Sequence, residues 1–303
     1  MIKLPAGVDI NNLIDDLKKI SWEAADILLY YSQKINSTSD KKKFIKSKDI
    51  NDPVTIADLK VNKLIIERIN ENYSNVEWDI LSEENEKLNN SCLIRNSSWI
   101  WILDPLDGTK DFIQGTGNFA MHLALNYKNK PFLGVVLVPE KDELWITNGS
   151  DVWCESRNGT LLKCNLSNNL RLEEMILITS KNHKNRLLQD LLANLPCKTS
   201  IEMGSIGCKI SSIIKGEADI YISLSIPGQN GPKDWDFAAP EAIIVAAGGK
   251  ITNLKNEELK YNQIDFQHPG VIIASNNKYN HASICNQIRQ IVFEKNLLPF
   301  ISN

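Results

Sequence analysis

The chain has 303 residues, a hydrophobic fraction of 43% and a formal net charge of −3. This length allows one large domain or two of ordinary size, with enough apolar residues for a sizeable core. The weak net charge argues against a nucleic acid polymer or an acidic membrane surface as partner. None of the six cysteines forms a C-x-x-C pair and zinc-type spacing is absent, so we expect reduced, mostly buried thiols.

The N-terminal segment MIKLPAGVDINNLIDDL carries charges among its apolar residues, which argues against a signal peptide. Apolar runs stay shorter than the roughly 18 residues that a membrane helix needs. We therefore expect a cytoplasmic protein without membrane insertion. The sequence leaves its oligomeric state, monomer or homodimer, open.

The first half predicts two helices followed by closely spaced strands. The helices are expected over 9–35 and 55–72, separated by a polar, lysine-rich loop over 36–53. The strands are expected over 77–85, 98–105, 118–127, 131–139, 142–148 and 151–156. Strands spaced so closely favour an antiparallel sheet.

The second half changes to an alternation of strands and helices. Strands are expected over 175–180, 199–205, 219–224, 250–253 and 271–275, and helices over 184–194, 206–216, 235–247 and 279–294. Alternation of this kind predicts a layered α/β domain. With the boundary in the polar segment NLSNN, we expect an N-terminal α+β domain over 1–168 and a C-terminal α/β domain over 169–303.

Acidic residues cluster where predicted elements begin or end. The clusters are Asp58, Glu83 with Glu84, Asp104 with Asp107, and Asp234 with Asp236. Oxygen ligands without cysteines or paired histidines suit Mg²⁺, which usually keeps open positions for phosphate oxygens. The clusters together therefore predict a Mg²⁺ site and a phosphorylated substrate.

Each cluster taken singly has a simpler interpretation. Asp58 and Asp236 are equally typical of helix caps, and the Glu83–Glu84 pair is typical of a solvated strand end. The joint occurrence of these acids with D-P-x-D-G-T at 104–109 is far more specific than any one of them.

Four segments resemble the inositol monophosphatase superfamily of Mg²⁺-dependent, lithium-sensitive phosphatases. They are DPVTIAD (52–58), LSEE (81–84), WILDPLDGTKDF (101–112) and WDFAAPEAIIVAAGG (235–249). The resemblance runs from about residue 10 to residue 275 in the order of the family. It implies an αβαβα sandwich, a layered fold that agrees with the two halves described above.

The resemblance also implies a role for each matching residue. The ligands of two Mg²⁺ ions would be Glu83, Asp104, the Leu106 carbonyl, Asp107 and Asp236. Asp58 would lie near a third ion, and Thr109 with Glu83 would orient and activate the attacking water. The backbone amides of Gly108 and Thr109 would bind the phosphate.

Residues beside the acids resemble the 3'(2'),5'-bisphosphate nucleotidase branch of this superfamily. They are Lys110 in DGTKDF, Ser180, Lys181 and His183 in TSKNHK, and Ser205 and Lys209 in GSIGCK. The resemblance implies that these residues bind the substrate, and extra cations suit a second phosphate. Inositol phosphatases place an acid near the position of Ser223, and its absence argues against inositol.

The sequence thus favours a hydrolase that removes the 3'-phosphate of adenosine 3',5'-bisphosphate by direct attack of water. It could also act on 3'-phosphoadenylyl sulfate, as in sulfur assimilation. Two alternatives stay open, an inositol or sugar (bis)phosphatase on the same scaffold and a non-catalytic binding protein. The lysines also have a simpler interpretation, as surface residues or, for Lys209, as a side chain that snorkels to solvent.

Overall fold

The computed structural model describes residues 3–46, 53–89, 94–182 and 185–298. Within these ranges the α-helices are α1 (Ile10–Asn36), α2 (Ile56–Asn72), α3 (Glu83–Asn89), α4 (Thr109–Gln114), α5 (Arg186–Ala193), α6 (Ile206–Ile214), α7 (Asp234–Ala247) and α8 (His281–Glu294). The strands are β1 (Asp79–Ser82), β2 (Trp99–Asp107), β3 (Ala120–Tyr127), β4 (Lys130–Val138), β5 (Glu143–Thr147), β6 (Val152–Glu155), β7 (Leu161–Leu162), β8 (Ile176–Ser180), β9 (Thr199–Met203), β10 (Ile220–Ser225), β11 (Lys250–Asn253) and β12 (Gly270–Ser275).

The first sheet takes its strands in chain order, β1 to β7. Neighbours are antiparallel except β1 and β2, which run parallel and are joined through α3. Between β3 and β4 the chain reverses at Lys128 and Asn129, which have φ values of +48° and +59°. Positive φ at both central residues is the geometry of a tight hairpin whose twist matches that of the strands.

The second sheet has the order β11-β12-β10-β8-β9 and is mixed. Strands β8, β9 and β10 run parallel, while β12 runs antiparallel to both β10 and β11. The parallel part is built from strands separated by helices α5 and α6, as a crossover connection requires.

Five layers result. Helices α1 and α2 cover one face of the first sheet around Trp101, and α6 and α7 fill the space between the two sheets around Ile243. Helices α5 and α8 cover the far face of the second sheet around Ile288. The predicted αβαβα sandwich is confirmed.

The sequence pattern of β2 and α7 follows from these layers. Strand β2 has helices on both faces, so it is apolar at nearly every position from Trp99 to Leu103 and fully buried there. Helix α7 lies between two sheets, so its sequence DWDFAAPEAIIVAA is apolar on almost every side. These two buried elements carry the acids Asp104, Asp107 and Asp236.

Two sequence-based predictions need correction. The strand expected over 77–85 ends at Ser82, because the acidic residues that follow, Glu83 and Glu84, open helix α3 rather than extend the strand. The first sheet is also not wholly antiparallel, since β1 pairs with β2 in parallel. Among the described helices, none combines the length and the apolar composition that a membrane crossing requires.

The domain boundary predicted between residues 168 and 169 stays a prediction. In this region the buried carboxylate of Asp219 accepts hydrogen bonds from the side chains of Ser167, Asn169 and Asn276. The polar segment NLSNN is therefore fastened to the second sheet. Helices α6 and α7, which follow it in sequence, pack against both sheets.

Truncation of α7 tests how far stability depends on the middle layer. Ile243 is fully buried, whereas Val245 on the same helix is 49% exposed. Ile243→Ala should lower the free energy of unfolding by about 2–5 kcal/mol, because it leaves a cavity between the sheets. The matched variant Val245→Ala should change it by less than about 0.5 kcal/mol. Equal losses in denaturant titrations of the two variants would contradict the layer assignment.

Candidate active site

Asp104 and Asp107 end strand β2, three positions apart. In a regular strand this spacing would put them on opposite faces. Opposite β3, however, Asp104 pairs with His122 and Asp107 pairs with Ala120, so three steps along β2 face two along β3. This bulge turns the strand end and brings the two carboxylates to the same side.

Asp236 joins them from the first turn of α7. One carboxylate oxygen from each of Asp104, Asp107 and Asp236 lies within 4.8 Å of the other two. Asp236 is held in place by the backbone N–H of Lys233, which donates to its Oδ2 at 2.6 Å. The helix-cap interpretation of Asp236 is thus true in part, because it completes the capping box of α7 and still faces the other acids.

The cluster is electrostatically strained. Burial raises the pKa of Asp104 well above its usual value, and the charges of Glu83, Asp107 and Asp236 raise it further. Burial likewise raises the pKa of Asp236, with the charges of Asp107 and Glu83 next in importance. A divalent cation among these oxygens would offset both costs. The donor set, carboxylates without sulfur ligands, fits Mg²⁺.

Glu83 reaches the cluster from the first residue of α3. Its charge raises the pKa of Asp104, and Lys87 one turn later lies 2.8 Å from its Oε1. Its neighbour Glu84 is 2% exposed, so the interpretation of this pair as a solvated strand end is wrong.

Asp58 and Thr109 meet beside the cluster. Asp58 completes the capping box of α2, where its Oδ2 accepts from the Thr55 backbone N–H at 2.8 Å, and its Oδ1 lies 3.4 Å from the Thr109 hydroxyl. The same hydroxyl lies 3.0 Å from the Leu106 carbonyl oxygen. Burial raises the pKa of Asp58 to about 7. Three residues that the resemblance selects are therefore in contact.

Gly108 allows α4 to begin directly after Asp107. Its φ is +86°, and a Cβ there would lie 2.9 Å from the Asn118 carbonyl oxygen and 3.0 Å from the Ser205 nitrogen. A side chain at this position would be strained and would also separate α4 from the turn before α6. Glycine thus keeps the starts of α4 and α6 together.

Ser205 and α6 bind Asp107. The Oδ2 atom of Asp107 accepts from the Ser205 hydroxyl at 2.7 Å and from the backbone N–H groups of Ile206 and Gly207. Three donors at a helix start stabilise the charged carboxylate. Ser205, predicted to bind substrate, here caps α6 and positions Asp107.

His122 is a site residue that sequence reasoning missed. It is fully buried, with Nε2 3.3 Å from Asp107 Oδ2 and Nδ1 3.4 Å from the Trp235 carbonyl oxygen. It thus lies between the end of β2 and the start of α7, the two elements that carry the acids. Burial lowers its pKa. Its sequence context, FAMHLAL, is that of an ordinary buried strand and gives no signal of this role.

Lys209, one of the predicted substrate residues, lies on helix α6. Lys209 is 2% exposed, with Nζ 5.5 Å from the centre of the Tyr221 ring, so the expectation that it snorkels is wrong. Burial lowers its pKa, and the nearby charges of Asp107, Asp111 and Asp236 oppose this shift.

The other predicted cations are less buried than Lys209. Lys110 is half-buried on α4, and the exposed Lys181 donates to Gln114 Oε1 at 3.3 Å. Ser180 ends β8 and is 9% exposed. His183 lies outside the described residues. Ser223, at the position where inositol phosphatases place an acid, is half-buried on β10.

The chain resembles known phosphatases across most of its length. The 3'(2'),5'-bisphosphate nucleotidase CysQ of Buchnera aphidicola is 31% identical over 83% of this chain and 90% of its own. The protein of the same name from Escherichia coli K12 is 27% identical over 85% of this chain and 98% of its own. The protein is thus a hydrolase of phosphomonoesters. Residues 10–292 match the inositol monophosphatase family, and the chain belongs to that family.

Solved structures agree on the fold. An inositol monophosphatase from Thermotoga maritima has a TM-score of 0.72 at 22% identity, covering 93% of this chain and 99% of its own. Inositol monophosphatase II from Staphylococcus aureus has a TM-score of 0.71 at 22% identity, covering 96% and 100%.

Replacement of Asp104 tests the cation site. Asp104→Asn should raise the free energy of unfolding without divalent cations by on the order of 1 kcal/mol, because it removes a carboxylate that is costly to bury beside three others. It should also abolish the gain that Mg²⁺ gives the unmodified protein, about 2.7 kcal/mol at a hundredfold excess over Kd. Thermal melts with and without Mg²⁺ measure both effects.

The exposed Asp15 offers the matched control. Asp15→Asn should keep the full Mg²⁺ response. Retention of that response by Asp104→Asn would contradict the assignment of Asp104 as a ligand.

Proposed function

We propose that this protein is a Mg²⁺-dependent nucleotidase that removes the 3'-phosphate of adenosine 3',5'-bisphosphate. The sulfated nucleotide 3'-phosphoadenylyl sulfate is a second substrate of the same shape, which would connect the enzyme with sulfur assimilation. The relatives named as bisphosphate nucleotidases support this choice within the family.

The observation that carries the proposal is the buried ammonium of Lys209 beside the acids. A lysine that is 2% exposed pays a large desolvation cost, which is tolerated where it meets negative charge. With Lys110 and Lys181, which the resemblance also selects, it would give the site three cations. A nucleoside bisphosphate carries more negative charge than a monophosphate and would therefore form more charge-assisted hydrogen bonds with these cations.

Ser223 supports the same substrate. The hydroxyl of a serine offers no charged acceptor to a ring of hydroxyl groups. A polyol substrate would therefore lose the strong hydrogen bonds that a carboxylate at this position provides. This is the observation that disfavours the inositol alternative.

We propose Glu83, Asp104, the Leu106 carbonyl, Asp107 and Asp236 as the ligands of two Mg²⁺ ions, with a third ion near Asp58. When bound, Mg²⁺ neutralises the phosphoryl oxygens and lowers the pKa of water. The remaining work falls to the side chains of the chain itself.

Thr109 would orient the attacking water. Its single hydroxyl proton is best donated to the Leu106 carbonyl oxygen, at 3.0 Å, which leaves its lone pairs free to accept a proton of the water. Glu83 and Asp58 would receive the proton that the water loses. Asp58 Oδ1 lies 3.4 Å from the Thr109 hydroxyl, and the charge of Glu83 is close enough to raise the pKa of Asp58. Water then forms the new P–O bond while the bond between phosphorus and the 3'-oxygen breaks, and the 3'-oxygen takes up a proton from solvent water to leave as a hydroxyl group.

A substrate panel tests this proposal. The purified protein with Mg²⁺ should release phosphate from adenosine 3',5'-bisphosphate with a kcat/KM at least about tenfold above that for inositol 1-phosphate or fructose 1,6-bisphosphate, since only the nucleotide matches its cations. Asp104→Asn should lose activity on all three. Preference for either of the other substrates would reject the nucleotide but retain the phosphatase, and no activity on any would favour the non-catalytic alternative.

Lithium sensitivity is a second test. Li⁺ at tens of millimolar should inhibit phosphate release, because a small monovalent cation in one Mg²⁺ position leaves less positive charge for the phosphoryl oxygens. The same concentration of K⁺ should have little effect, which controls for ionic strength. Rates that are equal in Li⁺ and K⁺ would contradict the proposed metal arrangement.

A further inference from the structure

Asp111, the acid that follows Lys110, has a buried carboxylate that the proposed reaction does not use. It lies on α4, two residues after Thr109, and is 0% exposed. A buried carboxylate is costly unless hydrogen bonds or cations compensate it. Its partners therefore indicate what it does.

One partner lies on the chain segment after its own helix. Thr116 donates its hydroxyl to Asp111 Oδ1 at 2.6 Å. The turn before α6 packs directly over the carboxylate, since a Cβ on Gly204 would lie 2.4 Å from Asp111 Cγ. Asp111 is thus fixed in one orientation.

Its second partner belongs to the loop after β8. The Nδ2 atom of Asn182 donates to Asp111 Oδ2, and the neighbouring Lys181 donates to Gln114 on the same helix α4. Two side-chain hydrogen bonds therefore join α4 to this loop. Helix α4 therefore contacts both the acidic cluster, through Thr109, and the loop that carries Lys181, through Gln114.

The charge of Asp111 also affects the protonation of Lys209. The charge of Asp111 favours the ammonium form of this buried lysine, alongside the charges of Asp107 and Asp236. Unlike those two, Asp111 is not among the proposed metal ligands. Its charge stays available to Lys209 when cations bind the cluster.

We propose that Asp111 is a positioning residue for the second phosphate of a nucleoside bisphosphate. It ties the Lys181–Asn182 loop to α4, which begins at Thr109, and its charge favours the ammonium form of Lys209. Both cations would thereby be kept available to the second phosphate. This inference rests on the proposed nucleotidase function and adds a specificity-determining residue to it.

Two substrates that differ only in the second phosphate provide the test. Adenosine 3',5'-bisphosphate and adenosine 3'-monophosphate are compared by kcat and KM with the full chain and Mg²⁺. In Asp111→Asn the ratio of kcat/KM between them should fall about tenfold, through a higher KM for the bisphosphate with kcat nearly retained. Asn182→Ala, which breaks the same tether from the more exposed side, should show a similar fall.

A double variant and a control variant distinguish a positioning role of Asp111 from a general effect on activity. The double variant Asp111→Asn with Asn182→Asp exchanges donor and acceptor across the same hydrogen bond, and it should recover part of the lost ratio. The matched control is Asp190→Asn on α5, whose side chain is 51% exposed and should leave the ratio unchanged.

The outcomes distinguish the two proposals. Equal loss on both substrates in Asp111→Asn and Asn182→Ala, or no change in either, would overturn the role of Asp111 while the nucleotidase stands. An unmodified protein that hydrolyses both nucleotides without preferring the bisphosphate would overturn this inference alone, whereas one that hydrolyses neither nucleotide would overturn the nucleotidase as well.

Discussion

The structure depends on holding acidic side chains from distant segments together against their mutual repulsion. Asp104 and Asp107 come from β2, Glu83 from α3 and Asp236 from α7. Each is fixed by contacts that do not need a cation, including the α6 start for Asp107 and the Lys233 amide for Asp236. The packing of the layers therefore offsets the cost of keeping these acids together.

The two sheets explain why the acids meet where they do. Strand β2 is buried on both faces and ends at the edge of the first core, and α7 begins at the same place between the sheets. His122 joins these two ends through Asp107 and the Trp235 carbonyl. A shift of either element would separate the acids. The packing of the middle layer therefore fixes the geometry of the candidate site.

The sequence allowed the acids to be found because they lie in short motifs at the ends of apolar elements. Asp104 and Asp107 follow a continuous apolar strand, and Asp236 opens an apolar helix. The sequence did not reveal His122, because its contact with Trp235 joins residues that are 113 positions apart. Nor did it reveal that Glu83 begins a helix, because α3 is only seven residues long and charged at its start, so apolar periodicity gives no signal.

In the motif DGTKDF, the side chains of three consecutive residues have different surroundings. Thr109 contacts Asp58 beside the acidic cluster, Lys110 is half-buried, and Asp111 accepts a hydrogen bond from Asn182. Three consecutive residues on one helix turn necessarily point in three directions, because each residue rotates the side chain by about 100°. In the proposed nucleotidase the same turn would serve both the reaction and the recognition of a second phosphate, which requires the helix to be held in place. The contacts of Gly108 with the turn before α6 and of Lys41 with the Ile113 carbonyl, at 2.6 Å, hold both of its ends.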